Sequence, residues 1–78
     1  MPVTSFARCF SEVIRNQRKL SKMTQEQLAE KADLSSKMVS LIERGERTPS
    51  ITVAEKIANG LSVRLWQLVK TAEDLRRK

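Results

Sequence analysis

The chain has no histidine and no tyrosine, and only one cysteine, two glycines and two prolines among its 78 residues. Without histidine, and with Asp and Glu scattered over faces that read as exposed, it offers no tuned acid–base pair, so it is not expected to be an enzyme. Cys9 alone cannot close an internal disulfide, and no Cys/His set is present to hold zinc. No metal or other cofactor is therefore expected, and a reducing, cytoplasmic setting is. There is no run of about 18 apolar residues, and Met1 to Phe10 lacks the charged and apolar regions of a signal peptide, so no membrane crossing is expected. Aromatic residues make up only 4 %, and β-branched runs are few, which argues against a sheet protein. Acids are the scarcer charge, nine against fifteen Lys and Arg for a net +6. That balance favours polyanions or anionic membrane surfaces without choosing between them.

What is present reads as helix. Phe6, Phe10, Val13, Ile14 and Gln17 recur at helical spacing with Arg8, Glu12, Arg15 and Lys19 opposite, predicting an amphipathic helix from about Ser5 to Leu20 behind a short arm, residues 1–4. In Thr24-Gln25-Glu26-Gln27 the Thr24 hydroxyl can cap the Gln27 amide while the Gln27 side chain reaches back, opening a second, short helix with Leu28, Ala29 and Ala32 inward. Asp33-Leu34 breaks the pattern. Ser35 or Ser36 can cap a third helix that runs to Arg44 and stops at Gly45, whose freedom suits a left-handed helix end. A fourth helix follows Pro49, capped by Ser50 or by Thr52 with Glu55, and carries Ile51, Ala54, Ile57, Ala58 and Leu61 inward. The fifth starts at Arg64 or Leu65 and runs towards Arg77, with Leu65, Leu68, Val69, Ala72 and Leu75 as its stripe. One all-α, five-helix domain spanning 1–78 is predicted, with its C-terminal helix in 64–78.

Two short helices meeting across a tight turn carry the specific signal: Thr24-Gln25-Glu26-Gln27-Leu28-Ala29, then Ala32, Leu34 and Ser35, then Val39-Ser40-Leu41-Ile42-Glu43-Arg44-Gly45. This stretch resembles the Cro/CI-type (XRE) helix-turn-helix family, as found in phage repressors and restriction-modification controller proteins. The likeness continues through Arg47, Pro49-Ser50-Ile51 and Ile57-Ala58 to Leu61 and Leu68. It implies a compact lambda-repressor-like fold, with the helix-turn-helix at helices two and three, and sequence-specific binding of double-stranded DNA by a transcriptional regulator.

In the third helix Ser36, Lys37, Ser40, Leu41 and Arg44 share one face, with Val39 and Ile42 opposite. Ser36, Lys37 and Ser40 can offer donors to base edges, Lys37 above all to guanine O6 and N7. Leu41 fits either a core stripe with Met38 and Ile42 or, by the family pattern, the DNA-facing side, where it would meet a thymine methyl. The resemblance makes Gln25 a phosphate donor at a helix start. Ser35 can act likewise, cap its helix, or do both. Arg44 and Arg47, flanking Gly45, are read as backbone clamps, Arg47 being the better placed for a base or the minor groove, against simple solvation. Relatives also pair an arginine of the first helix with the Glu of Glu-Arg-Gly, so Arg18 and Glu43 are expected to form a structural salt bridge.

The chain departs from its family at Asn59-Gly60-Leu61-Ser62-Val63-Arg64, where the glycine stands two positions from its usual place. Gly60 should weaken the fourth helix, Arg64 occupies a capping position, and Ser62 is left as an alternative cap. Trp66, at a position the family keeps exposed, either anchors a dimer seam with Leu65 and Val69 or turns inward to fill space beside Gly60. A two-fold dimer would set two third helices one DNA turn, about 34 Å, apart on a palindromic operator. An antitoxin-type regulator that also binds a protein partner is the competing reading.

Overall fold

The computed structural model describes residues 5–77, so the expected arm at residues 1–4 lies outside the described residues. The fold is all-α: five helices, α1 (Phe6–Leu20), α2 (Gln25–Ala32), α3 (Ser36–Glu43), α4 (Ile51–Gly60) and α5 (Leu65–Arg76). Each expected helix is present, and no strand occurs among the described residues.

Local chemistry sets the starts. Ser5 Oγ accepts from the Arg8 amide at 3.2 Å, Ser35 Oγ from Met38 at 3.1 Å and Ser50 Oγ from Val53 at 3.1 Å. The caps of α3 and α4 are thus Ser35 and Ser50, not Ser36 or Thr52. At α2 both halves of the box form: Thr24 Oγ1 accepts from the Gln27 amide at 3.0 Å, and Gln27 Oε1 accepts from the Thr24 amide at 2.9 Å. Each of these bonds satisfies an amide that the helix itself leaves free. Arg64, whose side chain has no acceptor to offer, precedes α5. There Gln67 Oε1 takes the Arg64 amide at 2.9 Å.

The first four helices end alike. Lys22, Asp33, Gly45 and Ser62 each adopt a left-handed backbone, with φ of 57°, 58°, 76° and 60°. Around each, two amides fold back on the last turn; at α4 the Val63 amide donates to the Ala58 carbonyl at 3.0 Å and Ser62 to Asn59 at 3.1 Å. This paired arrangement satisfies carbonyls that would otherwise be orphaned, and it normally recruits glycine. Gly45 alone of the four complies. Ser62 therefore ends α4 and does not cap α5.

Gly60 serves a different purpose. A Cβ there would stand 3.0 Å from Leu28 Cδ1, 3.1 Å from the Ala32 backbone nitrogen and 3.2 Å from Ala32 Cβ. The glycine lets α4 lie directly against the end of α2, and the space beside it is already filled by α2.

Packing follows the predicted stripes. Ile14, Leu28, Val39, Ile42, Ile57 and Leu68 are fully buried, joined by Cys9, Phe10, Val13, Ala54, Ala58, Leu61 and Ala72. α5 lies mainly along α1, while α2 rests on α4 and α3. Ile51, expected inward, is 81 % exposed. It is the first residue of α4 and falls to one side of the Ala54, Ile57, Ala58, Leu61 stripe, where no helix covers it. Trp66 is 63 % exposed, which excludes its turning inward within the monomer.

Candidate nucleic-acid interface

α3 owes its place to Val39 and Ile42, both at 0 % exposure, which fix the helix to the core and turn its other side outward. On that outer side Ser36 and Lys37 are exposed, and Ser40 and Leu41 half-exposed. Met38 is packed against the core cluster, whereas Leu41 is not among the residues packed there. The leucine therefore belongs with the polar edge and not with the core stripe.

An open groove runs between the start of α2 and this edge. Thr24, Gln25 and Glu26 at the start of α2 line it with Ser36, Lys37 and Ser40 of α3, and Arg18 of α1 lines it too. Three of the four base-reading candidates thus meet the phosphate candidate Gln25 around one depression. Thr24, singled out in the sequence only as a cap, lines it too; the signal was its adjacency to Gln25. Ser35 lies exposed at the start of α3 with its oxygen on the Met38 amide. The hydroxyl proton is still free to donate, so capping and phosphate contact are compatible.

Arg44 lies at the other end of α3, about 12 Å along the axis from Ser36 at 1.5 Å per residue. It faces a second, polar depression with Arg8, Glu12, Arg15 and Lys19. Its Nε is 3.3 Å from Glu46 Oε2, both side chains 57 % exposed. Such an exposed pair is weak and exchangeable. This pairing was not foreseen, since Glu46 sits beyond the helix, where periodicity says nothing. Arg47 is exposed in the loop that follows.

Behind the groove sits one buried ionic cluster. Glu43, the last residue of α3, has a side chain only 3 % exposed and receives Arg18 Nε at 2.7 Å on Oε2. Arg18 Nη2 donates to Oε1 at 3.0 Å, completing a bidentate pair, and Nη1 donates to the Met23 carbonyl at 2.8 Å. The expected Arg18–Glu43 bridge is therefore present. Hydrogen bonding to Glu43 raises the Arg18 pKa above its ordinary value, and burial offsets only part of this. Because the folded value exceeds the unfolded one, this stabilisation is fully present below the ordinary arginine range and fades only as pH rises through the folded value. Gln25 Nε2 adds a third donor to Glu43, at 3.1 Å on Oε1.

A short outward-facing helix, braced by a second across a tight turn and flanked by donors and cations, defines a helix-turn-helix module. The comparisons agree. The helix-turn-helix family model matches residues 14–65. The immunity repressor of Bacillus phage phi105 is 42 % identical over 52 residues, 67 % of this chain and 36 % of the repressor, so the chain spans about a third of that relative. The restriction-modification controller protein C.Esp1396I, solved as a tetramer with its natural 35 base-pair operator, is 32 % identical, with a TM-score of 0.89 over 96 % of this chain and 99 % of that one. The clp gene regulator ClgR from Corynebacterium glutamicum shares the fold, with a TM-score of 0.91 at 20 % identity over 97 % of this chain and 81 % of that one. The chain belongs to the Cro/CI-type (XRE) helix-turn-helix family, a family of DNA-binding transcriptional regulators and not of enzymes.

Proposed function

We propose that this protein binds double-stranded DNA sequence-specifically and regulates transcription as a dimer on a palindromic operator, with α3 in the major groove. The observation that carries the reading is the outward edge of α3: Ser36, Lys37, Ser40 and Leu41 stand clear of the core while α2 holds the helix from behind. A helix this short is marginal alone and depends on that support. Ser36, Lys37 and Ser40 donate to base edges, and Leu41 meets a thymine methyl. Gln25, Ser35, Arg44 and Arg47 hold the phosphate backbone and fix the register. The net charge of +6 supplies long-range attraction.

Dimerisation is assigned to Leu65, Trp66 and Val69. Leu65 and Val69 line an apolar groove of about 160 Å³ with Phe6, Phe10, Pro49 and Ala54, and the groove is edged by Ile51. Trp66, which follows Leu65 in the first turn of α5, and Ile51, in the groove's lining, are bulky apolar side chains left exposed. A patch with both projections and a groove can complement its own copy across a two-fold axis. The operator-bound tetramer of C.Esp1396I supports an oligomeric mode. No helix among the described residues is long and apolar enough to cross a membrane. A regulator of this kind works in the cytoplasm, where its operator lies.

The test is selection from a randomised duplex pool by the purified protein, followed by the salt dependence of the selected site. A palindrome whose half-sites lie one turn apart, bound with a steep salt slope and a large margin over random DNA, is expected. Weak, sequence-blind binding would refute the reading and point instead to a protein partner.

A further inference from the structure

Glu43 is shared among three helices at the point where α2 and α3 both approach the groove. Its carboxylate is almost wholly buried, satisfied on Oε2 by Arg18 of α1 and on Oε1 by both Arg18 and Gln25 of α2. The pair with Arg18 and the bond to the Met23 carbonyl lock the α1–α2 turn and the end of α3 together. The bond from Gln25 has no such mechanical necessity. Gln25 is the first residue of α2, half-exposed, and its helix is already capped by Thr24.

We infer that Glu43 is a positioning residue for DNA recognition: by taking one amide proton of Gln25, it fixes that side chain so that the second proton faces the groove. The inference rests on the proposed phosphate role of Gln25. An amide nitrogen carries two protons set in a plane. With one committed to the rigid carboxylate, the direction of the other is set before any ligand arrives. A solvated glutamine would have to surrender its rotamer freedom on binding, and pre-organisation removes that cost. The arrangement also keeps net negative charge away from an incoming phosphate. The Glu43 charge is matched by the Arg18 guanidinium, whose five donors serve Glu43 and Met23 with two left over. Arg18 also lines the groove, so the phosphate would meet a charge-neutral Arg18–Glu43 pair and a held amide, not a bare carboxylate.

The test is a double-mutant cycle on the selected operator with Gln25→Met, Glu43→Gln and both together. Gln25→Met keeps length and shape but offers no donor. It should weaken binding by about tenfold or more, the range for a hydrogen bond to a charged group. Glu43→Gln should weaken binding several-fold in the parent and far less beside Gln25→Met, since the positioned group is then already gone. Full additivity would overturn the inference while leaving the phosphate role of Gln25 intact. Unchanged affinity of Gln25→Met would overturn both. Should Glu43→Gln fail to fold, NMR of the Gln25 side-chain amide in the unaltered protein decides. Restricted motion on the ps–ns timescale and inequivalent exchange of its two protons are expected, and free averaging would overturn the inference.

Discussion

Gly60→Ala sets two effects of opposite sign against each other. Alanine is favoured over glycine inside a helix by about 1 kcal/mol, so on propensity alone the substitution in α4 should stabilise. The tertiary structure reverses that sign. The new methyl would lie 3.1 Å from the Ala32 backbone nitrogen and 3.0 Å from Leu28 Cδ1. Leu28 is 0 % exposed and Ala32 2 %, so neither has space to retreat into. Relief requires α2 to move as a body, and α2 is packed on α3. Overpacking a tight core contact costs about 1 to 3 kcal/mol, so the net change is a loss of about 1 kcal/mol, with 2 as the upper end. For a domain of this size 1 kcal/mol lowers Tm by about 4 to 8 °C. Thermal melting followed by circular dichroism, at fixed protein concentration, measures it. Operator affinity at a temperature where the variant remains folded should also fall, because α2 braces the recognition helix. A Tm equal to or above that of the parent would refute the argument that close approach, and not tolerance, accounts for the glycine.

The complementary substitution, Ser62→Gly, removes a side chain from a left-handed position and should stabilise by about 0.5 to 1 kcal/mol, read as a rise in Tm. A fall would mean that the serine makes contributions other than its backbone geometry. Lys37→Ala should relax base preference at one position of each half-site, a loss of about 1 to 3 kcal/mol of discrimination, and an unaltered selected sequence would remove Lys37 from the base-reading set. Trp66→Ala should weaken self-association by tenfold or more in sedimentation while leaving the monomer's fold unchanged, since the indole is 63 % exposed. An unaltered association constant would place the dimer seam elsewhere.

The five helices, their starts to within a residue or two, and most of the buried stripes were legible in the sequence because each depends on residues within one or two turns. Ser and Thr caps bind amides three residues on, and apolar spacing of three and four residues gives the direction in which a helix must be buried. The same periodicity placed Ser36, Lys37 and Ser40 on one face opposite Val39 and Ile42. Leu41 could not be assigned by spacing, because it lies on the boundary between the two faces. Periodicity also misplaced Ile51: it gives a direction around a helix axis but says nothing of whether another helix stands there.

Only the tertiary structure decided what lies across each contact. That a side chain at Gly60 would meet the Ala32 backbone, that Trp66 stays outside, and that Gln25 donates to a carboxylate eighteen residues away all follow from how the helices settle against one another. Helical direction is a local property, fixed by nearest neighbours along the chain. The bond between Gln25 and Glu43 exists only once α1, α2 and α3 have packed, because no local rule brings their ends to hydrogen-bonding distance.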